Sequence, residues 1–295
     1  TFSPDLQFID YGMYAGAYTK RNQGSQATAW YEKTTILNWV WDNMVTYNFD
    51  LMKDHHFDLT GVYSMTEYQN EFMRGDGAGL SYNSLWYALQ NGAKTNKTQS
   101  KYTKTSLMSY LARLNYNYKG KYYVTASMRY DGSSKFPKSS RFGFFPSVSA
   151  GWQIAQERFM NSTRHWLDGL KLRASYGVIG NQNINPYTFT PSMSVNNKAT
   201  SWIIDDTYVT SISSLPALVS QNFTWEKVGT INVGLDVNLF NNRLSGVFEW
   251  YQRNTNGMLA PGVQLPAVVG ASAPYQNTAD MRTRGWELSL SLIHI

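Results

Sequence analysis

A run of eleven residues near the middle of the chain alternates between apolar and polar side chains. Tyr122, Val124, Ala126, Met128 and Tyr130 share one parity, while Lys121, Thr125, Ser127, Arg129 and Asp131 share the other. Side chains alternate with period two only in a β-strand. A strand with one apolar and one charged face suits a sheet that separates lipid from water. The run therefore predicts the wall of a transmembrane β-barrel.

The segments on either side keep the same parity. Residues 106–118 precede the run across the dipeptide Lys119-Gly120, and residues 142–156 follow it after a polar connection, 132–141. A two-residue connection with glycine predicts a tight hairpin, although lysine is unfavourable at the left-handed first position of a type I′ turn. One short and one long connection are typical of outer-membrane hairpins, whose periplasmic turns are short and whose external loops are long.

Composition agrees with a barrel and excludes several other classes. Charged residues are only 16% of the chain and aromatic residues are 15%, with 21 Tyr and 10 Trp, which suits the aromatic girdles of a membrane protein. No run approaches the 18 apolar residues of a transmembrane helix. The absence of cysteine excludes disulfides and thiolate metal sites. The net charge of +6 is scattered over the chain, so we expect no nucleic-acid partner. We also expect no cofactor.

The same alternation predicts ten strands. They lie at 6–19, 37–49, 57–66, 106–118, 121–131, 142–154, 170–178, 231–239, 244–253 and 286–292. We expect long external loops at 74–104 and 180–227, and a modest connection at 155–169 with a helical turn at 157–160. Ten strands could close alone, but three external loops near or above about thirty residues favour a piece of a larger barrel.

Six blocks of sequence resemble the SusC-type TonB-linked outer-membrane transporters of Bacteroidetes. They lie at 114–136, 141–152, 170–182, 225–236, 241–251 and 284–289. The blocks occur in the order and spacing of that family from Leu107 to the end of the chain, and a weaker likeness extends back to about Trp39. No single block is specific, but the six together are.

This resemblance implies an all-β, antiparallel, 22-stranded transmembrane barrel in the cell outer membrane. It further implies an N-terminal plug opened by energy from TonB, and a SusD-like lipoprotein that covers the barrel and captures glycans or peptides. Residues 1–295 carry no plug and no TonB box, and the chain begins Thr-Phe-Ser-Pro without a signal-peptide pattern. We therefore expect the whole chain to be part of the barrel domain of a longer protein, with the plug and the remaining strands outside it.

The candidate ligand-binding residues lie at the long-loop end of the predicted seventh strand and in the loop that follows. They are Asn181, Gln182, Trp202, Asp205, Asp206 and Tyr208. Aromatic rings stack on sugars, and carboxylates accept hydrogen bonds from sugar hydroxyls. Two alternatives stay open: the loop residues pack on one another or on the lipoprotein, and Asn181 and Gln182 form a turn that caps the strand.

No catalytic or metal site emerges from the remaining polar residues. His55 and His56 are adjacent in a strand, so they point to opposite faces and cannot share a metal ion. Asp205 and Asp206 are consecutive, whereas glycosidases oppose two carboxyl groups across a sugar. The sequence shows no pattern that pairs a nucleophilic side chain with a nearby general base. We predict that the protein is not an enzyme.

Parity also assigns the charged residues and the tryptophans to faces. Five residues have lumen parity and are expected to pair with one another or with the plug: Arg113, Arg129, Arg173, Glu249 and Arg253. Five tryptophans have lipid parity and are expected in the girdles or the wall: Trp39, Trp41, Trp152, Trp250 and Trp286.

Three hypotheses for function follow. The first is the barrel portion of a TonB-dependent importer of oligosaccharides or similar large nutrients, working with a SusD-like lipoprotein. The second is a passive porin or structural barrel. The third is a soluble all-β carbohydrate-binding domain, which would bury its aromatic faces between two sheets and would stay soluble without detergent.

Overall fold

The computed structural model describes most of the chain. The described residues are 1–23, 26–80, 89, 92, 94–192, 195–196, 202–204, 207–209, 211–212, 218–220, 223–262, 264–270 and 273–293. They form β-strands and a few short 3₁₀ helices. No helix in these ranges has the length and apolar character needed to cross a membrane.

Ten long strands build one antiparallel sheet, which confirms the predicted number. In chain order the strands are β1 (Phe2–Ala15), β2 (Thr28–Leu51), β3 (His55–Ala78), β4 (Lys94–Tyr118), β5 (Tyr122–Ser133), β6 (Phe142–Gln153), β7 (Leu167–Asn181), β8 (Val195–Asn196), β9 (Trp202–Ile204), β10 (Thr207–Val209), β11 (Ser211–Ile212), β12 (Glu226–Leu239), β13 (Leu244–Pro261) and β14 (Tyr275–Leu292). The order in the sheet is β1-β2-β3-β4-β5-β6-β7-β12-β13-β14. Two further two-stranded sheets pair β9 with β10 and β8 with β11.

The two faces of the sheet differ as the alternation predicts. On β5, Tyr122 is 41% exposed and Met128 is 55% exposed, whereas Tyr123 and Thr125 are half-buried on the opposite face. We call the face that bears Tyr122 and Met128 the apolar face, and the face that bears Tyr123 and Thr125 the polar face. Trp250 and Trp286 are register partners and are both exposed, on the apolar face as predicted.

Several strands are longer than the alternation indicates. The strands β2 and β3 have 24 residues each and β4 has 25, about 80 Å at the usual rise per residue. The predicted loop at 74–104 is therefore wrong at both ends, because β3 continues to Ala78 and β4 begins at Lys94. Residues 94–104 are polar at nearly every position, so this part of the strand has no apolar parity that could reveal it.

Packing divides the chain into two units, of which the first contains residues 1–43 and 64–107. In this unit β1 pairs with β2 from Phe2 opposite Trp41 to Ala15 opposite Thr28. The guanidinium of Arg74 donates to the carboxylate of Asp76 at 2.9 Å and lies 4.5 Å from the ring centre of Trp30. The first contact pairs two charged side chains of β3, and the second connects β3 to an aromatic ring of β2.

The second unit contains residues 44–63 and 108–295, and its first tight turn connects β4 to β5. Lys119 and Gly120 have φ angles of 53° and 67°, and the amide of Lys121 donates to the carbonyl of Tyr118 at 2.9 Å. The predicted hairpin is thus confirmed. Lys119 accepts the left-handed conformation in a turn where its ammonium pairs with Asp54 at 3.2 Å.

An aromatic belt crosses five strands of the second unit at the end where the connections are short. It consists of Phe49, His55, Phe57, Tyr116, Tyr118, Tyr122 and Trp152, whose neighbouring ring centres are 4.6 to 6.4 Å apart. The Nδ1 atom of His55 lies 2.8 Å from the hydroxyl of Tyr116. His56 faces away and contacts Asp50 at 2.5 Å, so the two histidines point to opposite faces as predicted.

Short 3₁₀ helices occupy the connection between β6 and β7. They span Ile154–Gln156 and Arg158–Thr163, which confirms a helical turn near Glu157. The amide of Phe240 donates to the carbonyl of Trp166 at 2.8 Å, so this connection is joined to the turn between β12 and β13.

Candidate functional site

Polar side chains form rows across the polar face of the second unit. Strand register places Thr125, Ser149, Ser175 and Asn232 in one row across β5, β6, β7 and β12. The next row contains Tyr123, Gly151, Arg173, Gly234 and Glu249. Because directly opposed residues of neighbouring strands are close in space, the two rows bring hydroxyl groups next to charged groups.

Arg173 is the centre of an ion-pair network on this face. Its Nε donates to both carboxylate oxygens of Asp236, at 3.1 and 3.0 Å, and its terminal nitrogen also donates to Glu249. Asn232 donates to the other oxygen of Glu249 at 3.2 Å. The three charged side chains are each about one-third to one-quarter exposed. The predicted pairing among lumen-parity charges is confirmed for Arg173 and Glu249.

The other lumen-parity arginines have different surroundings. Arg129 donates to Asp131 at 2.8 Å and to the hydroxyl of Ser109 at 3.2 Å. Arg113 and Arg253 form no ion pair with any residue that the structure describes. The positive charge of the polar face is therefore only partly neutralised within the described residues.

A cavity of about 420 Å³ lies beside the network, above the rows of hydroxyl and small residues. Its lining includes Tyr123, Ser149, Gly151, Lys171 and Ser175. The ammonium of Lys171 is 5.0 Å from the ring centre of Tyr123, and the Tyr123 hydroxyl donates to the carbonyl of Gly120 at 2.8 Å. The hydrogen bond fixes the ring, so the cavity has a rigid aromatic wall and a cation above it.

A buried aromatic cluster, which we call the loop anchor, lies at the end of the sheet where the connections are long. It consists of Phe136, Phe145, Phe223 and Trp225, which are at most 4% exposed. Phe136 lies 4.9 Å from Trp225 and 6.0 Å from Phe223 between ring centres. Burial of four aromatic side chains joins the β5–β6 connection to the segment that precedes β12.

Hydrogen bonds reinforce the loop anchor. The hydroxyl of Ser140 donates to the carbonyl of Phe223 at 2.7 Å, and the indole of Trp225 donates to the carbonyl of Arg141 at 2.9 Å. Asn277 on β14 donates to the carbonyl of Thr224 at 3.0 Å and accepts from its amide at 2.8 Å. Three connected segments are thus held together where long loops leave the sheet.

Glu157 is a second polar centre, at the end with the short connections. Its carboxylate accepts hydrogen bonds from the Tyr122 hydroxyl at 2.7 Å, the Lys121 ammonium at 3.0 Å and the Trp152 indole at 3.2 Å. These hydrogen bonds, with those from Tyr122 and Lys121 contributing most, stabilise the ionised carboxylate and lower the pKa of Glu157 to about 2. The carboxylate thereby braces the hairpin of β5 and β6 against the following connection.

Comparison with known proteins identifies the family. The profile of the family described as "TonB dependent receptor-like, beta-barrel" matches residues 2–292. The chain belongs to this family. Its members are β-barrel proteins of the outer membrane, and they are not enzymes. The sheet described above is therefore part of a TonB-dependent receptor barrel.

The chain spans less than a third of the length of each of the following relatives. It is 35% identical over 272 residues to TonB-dependent receptor P3 of Formosa agariphila. The aligned residues cover 91% of this chain and 26% of that receptor. The chain is 36% identical over 201 residues to TonB-dependent receptor SusC of Bacteroides thetaiotaomicron. The aligned residues cover 68% of this chain and 20% of that receptor. The structure of the RagAB peptide transporter superposes with a TM-score of 0.85 at 26% identity, over 98% of the chain and 31% of that structure.

The structure places two of the predicted ligand residues of this receptor in a turn. The side-chain oxygen of Asn181 accepts from the amide of Asn183 at 3.0 Å. The carbonyl of Gln182 accepts from the amide of Ile184 at 2.7 Å and from the Lys135 ammonium at 3.5 Å. These contacts match the alternative in which the two residues cap β7.

The other four predicted residues lie further along the loop. Trp202 and Tyr208 belong to the hairpin of β9 and β10, where Tyr208 is opposite Ile203. Asp205 and Asp206 are outside the described residues. The prediction of a ligand site at these positions stays a prediction.

Sequence reasoning missed the loop anchor and the Glu157 site. Phe223 comes from a segment without periodicity, so no local signal distinguishes it from other loop residues. Phe136 and Trp225 lie at the edges of two of the blocks that resemble the SusC-type family, 114–136 and 225–236. An aromatic residue at the edge of such a block is the signal that could have indicated them. The donors of Glu157 come from the β4–β5 turn, β5 and β6, and only the strand register brings them together.

Proposed function

We propose that this chain is the barrel wall of a SusC-type, TonB-dependent importer of oligosaccharides or of nutrients of similar size, such as peptides. The observation that carries the proposal is the similarity to SusC, at 36% identity. The superposition on the RagAB peptide transporter supports it, and is the reason for including peptides among the substrates. The chain spans less than a third of these relatives, so import is a property of the longer protein.

That longer protein supplies the moving parts. In the proposal, a plug with a TonB box closes the lumen, and the remaining strands complete a barrel of about 22 strands. The polar face of the sheet lines the lumen, while the apolar face and its aromatic belt meet outer-membrane lipid. The partly neutralised charges near Arg173 give the lumen a polar wall, which suits passage of hydrated solutes.

A SusD-like lipoprotein is the proposed partner at the long-loop end. Such a partner needs loops whose bases keep a fixed position while it docks. The loop anchor supports this role, because Phe136, Phe223 and Trp225 are buried and hold two long connections on the sheet. The same connections would carry the contacts to the nutrient.

The proposed nutrient contacts are those predicted from the sequence: Asn181, Gln182, Trp202, Asp205, Asp206 and Tyr208. W202A and Y208A in the full-length protein should each weaken nutrient binding by about tenfold, since one ring contact contributes on the order of 1 kcal/mol or more. F159A serves as the control, because Phe159 is exposed in the β6–β7 connection at the end with the short connections, and it should leave nutrient affinity unchanged. Equal affinity in W202A, Y208A and the unmodified protein would remove these residues from the proposal.

The experiment that tests the import function deletes the TonB box of the full-length protein. Cells that express the intact protein should accumulate a labelled oligosaccharide or peptide, and cells with the deletion should not. Collapse of the proton-motive force should have the same effect. Uptake that persists in both conditions would sink the importer and favour a passive channel.

A further inference from the structure

The cavity beside Arg173 is lined by Lys171, whose positive charge is not neutralised by a residue on a neighbouring strand. Strand register places Lys171 directly opposite Asp236, which is the usual arrangement for a cross-strand ion pair. Asp236 instead accepts from Arg173. Within the described residues, the Lys171 ammonium contacts the ring of Tyr123 and forms no salt bridge.

Glycine residues make this arrangement possible and leave room above it. A Cβ atom at Gly151 would lie 3.2 Å from Cε of Lys171, and one at Gly234 would lie 2.9 Å from Cζ of Arg173. Both long cationic side chains therefore lie flat over the sheet. Gly151 also leaves room for Lys171 beside Tyr123, since Cβ and Cδ2 of Tyr123 lie 3.6 and 3.9 Å from the same position.

The remaining walls of the cavity offer hydrogen-bond donors. Ser149 and Ser175 are register partners and both line the cavity. Among the described residues, neither hydroxyl forms a side-chain hydrogen bond. A cation with two free hydroxyl groups provides charge-assisted and neutral donors for one anionic group. The volume of about 420 Å³ is within the usual range for small-ligand sites.

We propose that this cavity is a carboxylate-binding site, in which the Lys171 ammonium pairs with the carboxylate and the hydroxyls of Ser149 and Ser175 donate to it. Arg173 does not bind the ligand, because its guanidinium is already paired with Asp236 and Glu249. Tyr123 packs its ring against the non-polar part of the ligand. The inference rests on the barrel fold and is independent of the proposed import function.

Two sources can supply the carboxylate. One is a solute in the lumen, and the other is an acidic side chain of the full-length protein outside residues 1–295. The first experiment addresses solutes with two probes that differ only in a carboxylate, galacturonate and galactose. Binding to the purified full-length protein is measured by saturation-transfer NMR titration. Galacturonate should bind at least about tenfold more tightly than galactose, since hydrogen bonds between charged groups are stronger than those between neutral groups.

Variants show whether Lys171 carries the difference. K171Q should weaken galacturonate binding about tenfold and leave galactose binding unchanged. R253Q is the matched control, because it removes one positive charge of lumen parity outside the cavity lining, and it should change neither affinity. Equal effects of K171Q and R253Q would indicate a general charge effect and overturn the site.

The second experiment addresses an internal carboxylate by zero-length carbodiimide coupling of the full-length protein, followed by peptide mass spectrometry. A link from Lys171 to an Asp or Glu outside residues 1–295 supports an internal occupant, in which case galacturonate does not bind. A link from Lys171 to Asp236 overturns the proposal, because it shows that the strand neighbour neutralises the lysine. Absence of both a link and carboxylate-selective binding overturns it as well.

Discussion

The guanidinium of Arg173 on β7 reaches the carboxylate of Glu249 on β13 across the intervening strand β12. This contact is possible because the residue between them in the row is Gly234. Any side chain at that position would occupy the path, since a Cβ atom there would lie 2.9 Å from Cζ of Arg173. A glycine in the middle of a strand therefore serves an ion pair that spans three strands.

We expect a measurable coupling between Arg173 and Glu249. A double-mutant cycle with R173M and E249Q should give a coupling free energy of about 1 kcal/mol, because the pair is partly exposed and is screened by water. The measurement is urea unfolding of the full-length protein in lipid vesicles. Additive effects of the two substitutions would show that the contact contributes nothing to stability.

Gly234 offers a separate test of the same contact. G234V should abolish most of that coupling, because the branched side chain displaces the flexible end of Arg173. Repeating the cycle in the G234V background measures this directly. An unchanged coupling would show that Arg173 reaches Glu249 by another route.

A second group of glycines should be less tolerant of substitution. The ring of buried Phe145 covers Gly143 and Gly180, where added Cβ atoms would lie 2.4 and 2.2 Å from Cζ of Phe145. Phe145 is only 4% exposed and packs against Trp225, so it cannot yield. We expect G180A to lower the free energy of unfolding by about 1–3 kcal/mol.

Gly61 is the matched control for G180A. It lies on β3, and no atom is within 4 Å of a Cβ atom added there. G61A should be neutral or stabilising by about 0.5–1 kcal/mol, because alanine restricts the unfolded chain. Equal effects of G61A and G180A in urea unfolding would contradict the role given to Phe145.

The sequence predicts strands where one face is apolar, and fails where both faces are polar. The alternation from Tyr122 to Tyr130 marks β5 because that strand exposes the large apolar side chains of one parity, Tyr122, Val124, Met128 and Tyr130. The outer parts of β3 and β4 carry no such alternation, so their extent depends on pairing between strands. Pairing of distant segments has no local signal in a single sequence.

The same limit applies to the candidate sites. Parity assigned Arg173 and Glu249 to one face, because parity needs only a residue number. The part of Gly234 in their contact, and the place of Lys171 beside Tyr123, depend on strand register. Phe223 could not be assigned at all, since its burial arises from contact with a connection more than eighty residues away in the chain.

The loop anchor should dominate stability at the long-loop end. F223A should cost about 3–5 kcal/mol, because it removes a fully buried aromatic ring. W225F keeps most of the ring but removes the hydrogen bond to Arg141, so it should cost about 1 kcal/mol. F159A is the control, since Phe159 is 65% exposed in the β6–β7 connection, and it should change stability by less than about 0.5 kcal/mol. A similar cost for F159A and F223A would contradict the anchor.

Glu157 should make stability depend on pH in the acid range. The hydroxyl of Tyr122, the ammonium of Lys121 and the indole of Trp152 lower the pKa of Glu157 from 4.5 to about 2 in the folded protein. A carboxylate with a lowered pKa stabilises the fold fully above its unfolded value. That contribution is lost as the pH falls from about 4.5 to about 2.

The variant E157Q isolates this effect, because glutamine keeps the shape and removes the titration. At pH 6 the unmodified protein should be more stable than E157Q, and the difference should shrink steadily as the pH is lowered towards 2. Urea unfolding at several pH values measures the difference. Y122F is a graded control: it removes the hydroxyl group whose hydrogen bond lowers the pKa of Glu157 most, so the pH at which stability is lost should move upwards. A constant difference between the unmodified protein and E157Q from pH 6 to pH 2 would show that the ionised form of Glu157 has no special role in the fold.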